Sequence, residues 1–188
     1  MRFVLASGSP RRRELLETCG VDIDEVSPAG IAEIRSEDET PTEYSLRLAE
    51  EKAAAVSKKG TQVLAADTIV AIDNLIFEKP TSSVENIEML TTLSRDWHQV
   101  ITAWCIISWP DHGKPHKESG LCTTLVKFRI LEESEIISYV ATGEGKDKAG
   151  GYGIQGKGAA LISTIEGSYS NVVGLPMEMI MPMLKKRG

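Results

Sequence analysis

Three consecutive arginines, Arg11, Arg12 and Arg13, come directly after Ser7-Gly8-Ser9-Pro10, and that order of residue types points to an anion. The apolar run Phe3-Val4-Leu5-Ala6 is too short for a helix and stops at the serine-glycine turn, which predicts a buried strand. Ser9 then suits the N-cap and Pro10 the first helical position. A helix N-terminus carries partial positive charge, so arginines in its first turn are unfavourable unless an anion sits among them. A phosphate would accept from the backbone N–H groups, the hydroxyls of Ser7 and Ser9 and the guanidinium forks of Arg11 and Arg12. The competing reading is a capped surface helix whose arginines pair with acidic residues elsewhere. The segment is neither a Walker A loop nor a GxGxxG fingerprint.

Asp67 interrupts the otherwise apolar, β-branched run from Val63 to Ile72. A carboxylate there costs several kcal/mol unless it is paired, metal-bound or placed at an exposed strand end. In open α/β sheets ligands gather at the carboxyl ends of strands, so Asp67-Thr68 can mark a binding site; a structural pairing of Asp67 with a buried lysine is the alternative. Lys52 follows Tyr44 and Leu48 at four-residue spacing, beside an apolar stripe, where it either serves a site or snorkels. Lys79, between Glu78 and Pro80, and Glu33, in an acidic loop, carry little signal alone. From Gly143 to Gly158 glycine occupies seven of sixteen positions, too many for a regular element and suited to close approach of backbone to a ligand. Gln155 within it brings an amide that donates and accepts together, as reading a base edge requires. Tyr152 and Ile154 argue against a purely solvated loop.

The elements that must position these groups are legible in outline. Asp22 to Glu39 reads as loop. Thr40-Pro41-Thr42-Glu43 is a capping box that opens a helix from about Pro41 to Ser57. Asp73-Asn74 turns the Val63–Ile72 strand back into Leu75 to Phe77, and a helix is expected near Val84 to Leu93. His98 to Trp109 and Leu121 to Ile130 form a hairpin, the second with alternating burial. A helix from Glu132 to Thr142, a short strand near Ala159 to Thr164, and a last helix from Pro176 to Lys186 kinked at Pro182 complete the pattern. The mixture predicts an α/β protein with a mixed sheet, one domain over residues 1–188.

The net charge of −6 disfavours general nucleic-acid binding. Cys19, Cys105 and Cys122 lack zinc spacing and fit a reducing compartment. With no run of the roughly 18 apolar residues a span needs and no cleavable leader, a cytoplasmic protein without membrane contact is expected.

Taken in order, these segments resemble the Maf family of nucleotide pyrophosphatases: Leu5 to Arg12 with Glu14-Leu15-Leu16, Arg47-Leu48-Ala49 with Lys52-Ala53, Ala66-Asp67-Thr68, Lys79-Pro80, His98-Gln99-Val100 with Thr102, Asp147 to Gly150, Tyr152 to Gly156, and Gly167-Ser168-Tyr169 with Gly174-Leu175-Pro176. The resemblance implies an elongated mixed sheet flanked by helices, two lobes around a deep cleft, similar to ITP pyrophosphatases. It implies hydrolysis of dTTP and UTP to monophosphate and pyrophosphate, a divalent metal (Mg²⁺ or Mn²⁺), and a homodimer. The positions matching Arg11, Thr68 and Gln155 are associated with substrate choice, Asp67 with proton acceptance, and Arg12, Glu33, Lys52 and Lys79 with the same cleft, Glu33 and Asp67 toward the metal. Gly151 stands where alanine is common. The resemblance further implies nucleotide-pool housecleaning and restraint of septum formation, the alternative being a nucleotide-binding regulator of cell division with little turnover.

Overall fold

The computed structural model describes residues 1–184. In chain order the elements are β1 (Arg2–Leu5), α1 (Pro10–Thr18), β2 (Glu25–Val26), α2 (Pro41–Val56), β3 (Thr61–Ile72), β4 (Leu75–Phe77), α3 (Ser83–Leu93), β5 (His98–Trp109), β6 (His116–Phe128), α4 (Glu133–Ala141), two 3₁₀ turns (Ala149–Gly151 and Lys157–Leu161), β7 (Ile162–Glu166), α5 (Tyr169–Val173) and α6 (Met177–Ile180). The strands form a seven-stranded sheet in the order β2-β1-β3-β5-β6-β7, with β4 added to β3. It is mixed as expected: β1 runs parallel to β2 and β3, whereas β4 and β7 pair antiparallel with β3 and β6. Neighbouring β5 and β6 are joined by only residues 110–115, too few for the crossover a parallel pair needs, so they form the predicted hairpin.

The chain divides into two compact units. The first comprises Met1–Asp67, Thr102–Cys122 and the chain from Gly174. Its strands β1, β3 and β5 are buried on both faces, and alternation sorts their side chains into two cores. Phe3, Leu5, Leu64, Ala66, Trp104 and Ile106 meet Leu16 of α1 and Met177 and Ile180 of α6. Val4, Ala6, Val63, Ala65, Ala103 and Cys105 meet Ala49 and Ala53 of α2 on the other face. Small residues on α2 let that helix lie close to the sheet. Its start is fixed by the predicted capping box: Thr40 accepts from the Glu43 N–H, and the Glu43 carboxylate accepts from the Thr40 N–H at 2.9 Å. Such a cap is worth about 1 kcal/mol. The second unit, Thr68–Ile101 with Thr123–Val173, packs α3 and α4 through Leu90, Leu93, Ile136 and Val140 onto Val100, Val126 and Phe128.

Four expectations need correction. The second hairpin strand, expected from Leu121, begins at His116. The strand expected to reach Ile130 ends at Phe128, because a register shift between Lys127 and Phe128 breaks the alternation and leaves Ile130 91% exposed. The strand expected near Ala159 begins at Ile162, Ala159 to Leu161 belonging to a 3₁₀ turn. The final helix spans only Met177–Ile180; Pro182 has no N–H to continue it and lies in the turn beyond rather than at a kink. Lys185 and Lys186, the rest of that expectation, lie outside the described residues. The short α5, which has too few residues to show a period, was not anticipated. Among the described residues no helix is long and apolar enough to cross a membrane.

Candidate active site

Parallel pairing of β1 with β3 sets Leu5 opposite Leu64, and the Ala6 N–H extends it to the Leu64 carbonyl at 2.8 Å. The chain therefore leaves the sheet beside Ala66-Asp67. Ser7 is buried there, its Oγ accepting from the Ser9 N–H at 3.2 Å and from Arg12 Nη1 at 3.1 Å. Ser9 is the N-cap of α1 by position, although its side chain makes no capping hydrogen bond. Arg12 folds back from the first turn of α1, donating through Nη1 to the Ala66 carbonyl at 2.8 Å and through Nε to the Gly174 carbonyl at 2.9 Å. Burial lowers its proton affinity and Asp67 opposes that, with Arg11 and then Glu33 adding smaller effects of opposite sign. Arg11 is half-buried on the same turn. Arg13 takes the competing reading, pairing in the open with Glu17 one turn on at 2.7 Å.

Helix α2 supplies the second part. Tyr44, Leu48 and Lys52 share one face, and Tyr44 and Leu48 are buried along it. The Lys52 ammonium donates to Asp67 Oδ1 at 2.7 Å and pairs with Glu33 Oε1 at 2.9 Å. Asp67 is only 6% exposed, so this contact meets the requirement that a buried carboxylate be paired. The structural reading of Asp67 is thus met, and the lysine it pairs with is itself one of the candidate site residues. Glu33 is held in reach by its loop. Tyr44 donates to the Glu33 carbonyl at 3.1 Å, and Arg47 donates to the Ile34 carbonyl at 2.9 Å while gripping both Glu39 carboxylate oxygens at 2.7 and 2.8 Å. Arg47 stands out in the sequence only as part of a motif; its pair with Glu51 one turn on is local, but its hold on the loop has no local signal, because Glu39 and Ile34 lie eight and thirteen residues away.

Within the first unit Ser7 and Arg12 are in direct contact, Glu33 and Asp67 are joined through Lys52, and Arg12 reaches the second set by way of the carbonyl of Ala66, next to Asp67. Thr68, Lys79 and Gln155 belong to the second. Thr68 is half-buried on β3, Lys79 is exposed after β4, and Gln155 is exposed after the buried Ile154. The glycine-rich segment around Gln155 is a shaped loop. The Glu144 carboxylate accepts from the Lys157 N–H at 2.8 Å and the Gly158 N–H at 2.9 Å, and Tyr139 accepts from the Gly153 N–H at 3.1 Å. Tyr152 is anchored by a 2.7 Å hydrogen bond to His98 Nε2 and packs edge-on against Phe128. Burial drops the His98 pKa to about 4. Glu144 and Tyr139 were missed as contributors. The available signal was that so many glycine amides in one loop need acceptors, and Glu144, between Gly143 and Gly145, is a carboxylate inside the loop itself.

Among the described residues no three of His, Cys, Asp and Glu gather to hold a metal. Glu33 and Asp67 are brought together by the Lys52 ammonium, which fills the point between the two oxygens it contacts. Two carboxylates completed by phosphate oxygens suit Mg²⁺ or Mn²⁺, so the donor set fits a metal that arrives with a phosphorylated substrate.

The family model described as "Maf-like protein" matches residues 2–187. The dTTP/UTP pyrophosphatase of Deinococcus radiodurans is 44% identical, the alignment covering 100% of this chain and 93% of the relative. That of Photorhabdus laumondii is 46% identical over 92% of this chain and 87% of the relative. A solved structure of a HAM1 protein from Coxiella burnetii is a distant likeness, with 18% identity, 98% of each chain covered and a TM-score of 0.47. With the family pattern matched from β1 to the last described turn, the chain belongs to the Maf family.

Proposed function

We propose that this chain is a nucleoside triphosphate pyrophosphatase that hydrolyses dTTP and UTP to the monophosphate and pyrophosphate by attack of water at the α-phosphorus. The observation that carries this reading is the junction at Lys52, where one ammonium is shared by the buried Asp67 and by Glu33, close to the Arg12 guanidinium fixed over Ala66. Cations and carboxylates locked beside an anion-binding turn supply what transfer at phosphorus needs, since positioning and charge stabilisation dominate its catalysis. The names of relatives at 44–46% identity support the same substrates.

Arg12 and Lys52 stabilise the charge that develops on pyrophosphate as it leaves, with Ser7 and Ser9 at the turn binding phosphate oxygens. Asp67 orients the attacking water and accepts its proton, while Lys52 fixes the carboxylate's direction. Glu33 and Asp67 would hold the divalent metal, which when bound polarises phosphate oxygens and neutralises their charge. Lys79 shares in charge neutralisation, and Arg11, Thr68 and Gln155 select the base, as the family resemblance implies.

The test is to incubate the purified protein with Mg²⁺ and UTP or dTTP and identify the products. Monophosphate plus pyrophosphate is expected; orthophosphate plus diphosphate would overturn attack at the α-phosphorus. Asp67→Asn should lose at least about a hundredfold in turnover, the lower range for a positioned acid-base group, and near-normal turnover would remove Asp67 from the mechanism. Tight, saturable binding with negligible hydrolysis would favour a nucleotide-responsive regulator.

A further inference from the structure

Gln155 lies in a loop held on either side by one hydrogen-bond network. Two residues before it, the Gly153 N–H donates to Tyr139 Oη at 3.1 Å, and that hydroxyl donates to Glu144 Oε1 at 3.2 Å. Two and three residues after it, Lys157 N–H donates to Glu144 Oε2 at 2.8 Å and Gly158 N–H to Oε1 at 2.9 Å. The main chain of Glu144 is itself fixed, its N–H donating to Thr142 Oγ1 at 3.2 Å and its carbonyl accepting from Lys148 Nζ. The fit is close as well as polar. A Cβ on Gly156 would lie 2.5 Å from Glu144 Oε2, and one on Gly158 would overlap the Gly153 carbonyl. Burial works to raise the Glu144 carboxyl, but the amides of Gly158 and Lys157, the Tyr139 hydroxyl and the charge of Lys148 together outweigh it and hold the group below the ordinary carboxylate range.

We infer that Glu144 is a positioning residue for base selection: its carboxylate and the Tyr139 hydroxyl close the Gly153–Gly158 loop around Gln155 and fix the place from which the Gln155 side chain reaches the base. The inference rests on the proposed role of Gln155 toward uracil and thymine. An amide that must both donate and accept reads a base edge only if its direction is fixed, because a rotating side chain offers either group to any base. The Gln155 side chain is exposed, so the loop's part is to fix the place and direction from which it leaves the backbone, and contact with the base edge settles its torsions. Glu144 contacts no reacting group in this scheme; it acts through the loop.

The experiment compares wild type, Glu144→Gln and Tyr139→Phe in kcat and KM for UTP and for ATP, with inorganic tripolyphosphate, which has no base, as a competitive inhibitor. Glu144→Gln keeps the size of the side chain but turns an NH₂ toward an N–H that needs an acceptor. It should raise the UTP KM about tenfold, the equivalent of one charge-assisted hydrogen bond. The kcat should stay within about threefold, tripolyphosphate inhibition should be unchanged, and the preference for UTP over ATP should fall with the rise in KM. Tyr139→Phe should move the same quantities in the same direction, by about threefold. Unchanged UTP preference in both variants, or an equal loss toward UTP and tripolyphosphate, overturns the inference while leaving the pyrophosphatase reading intact. Should Glu144→Gln fail to fold, Tyr139→Phe decides alone. Wild-type protein that neither binds nor hydrolyses UTP, or does not prefer it to ATP, overturns the parent reading and this one before any variant is made.

Discussion

The loop bearing Glu33 and the loop bearing Gln155 solve one problem, holding irregular backbone in a fixed shape, by opposite means. Around Glu33 the work is done by long side chains from α2: Tyr44, Arg47 and Lys52 reach out to carbonyls and carboxylates of the loop. Around Gln155 the loop reaches inward, bringing its own N–H groups onto Glu144 and Tyr139, and glycines allow the approach. The first arrangement is sensitive to charge and tolerant of volume. The second is sensitive to a single added methyl and carries little net charge. A site that binds a polyanion benefits from the first kind of support, because the same cations can serve the ligand; a site that reads a neutral base benefits from the second.

The contrast can be broken where it is strongest. Lys52→Met keeps the side chain's volume and removes its charge, leaving Asp67 buried without its ammonium. A loss of about 3 kcal/mol is expected, the lower end for an orphaned buried charge because Glu33 is half exposed; this is a fall in melting temperature of roughly 6–12 °C. Adding Asp67→Asn should restore much of it, and a double variant no more stable than the single would show that the pair is not coupled. His98 offers a comparable effect in the second unit. Its folded pKa of about 4 lies below the ordinary 6.5, so between those values the unfolded chain binds the proton first, and stability falls as pH drops from 6.5 toward 4. The amount is about 3 kcal/mol. Melting curves at pH 4.5 and 7 should differ less for His98→Gln than for wild type; equal differences would count against a buried neutral ring. Smallest is Gly151→Ala, expected to cost about 2 kcal/mol through strain and overpacking, since Gly151 has φ +70° and its Cβ would overlap Asn86 Oδ1. Insensitivity of that loss to salt would sharpen the comparison, and an unchanged melting temperature would break it.

The same contrast explains what could be read from the sequence. Groups marked by type were visible: a carboxylate in an apolar strand and a capping box each violate or fulfil a local rule, and Asp67 is paired with Lys52 and α2 is capped as those rules require. The continuous apolar run from Phe3 to Ala6 likewise implied a buried strand, and the structure divides its residues between two cores. Groups that act by position were hidden. Arg47 finds Glu39 and Ile34 only after α2 and its preceding loop have folded together. Glu144 is one acidic residue among many until the Lys157 and Gly158 amides turn toward it. The α6 boundary failed for a different reason: apolar methionines continue the helical pattern past Ile180, but Pro182 cannot continue the hydrogen bonding.

Because Tyr44, Arg47 and Lys52 all project from one helix, their spacing is a length standard for the loop they hold. Each residue added to a helix rotates the turns beyond it by about 100°. A single residue inserted between Arg47 and Lys52 would swing the ammonium off the face that meets Asp67 while Tyr44 stayed on the Glu33 carbonyl. Substitutions along α2 are therefore far cheaper than insertions or deletions. Variation in chain length is expected to collect instead where nothing keeps count, as in the exposed connection at residues 111–115 between β5 and β6.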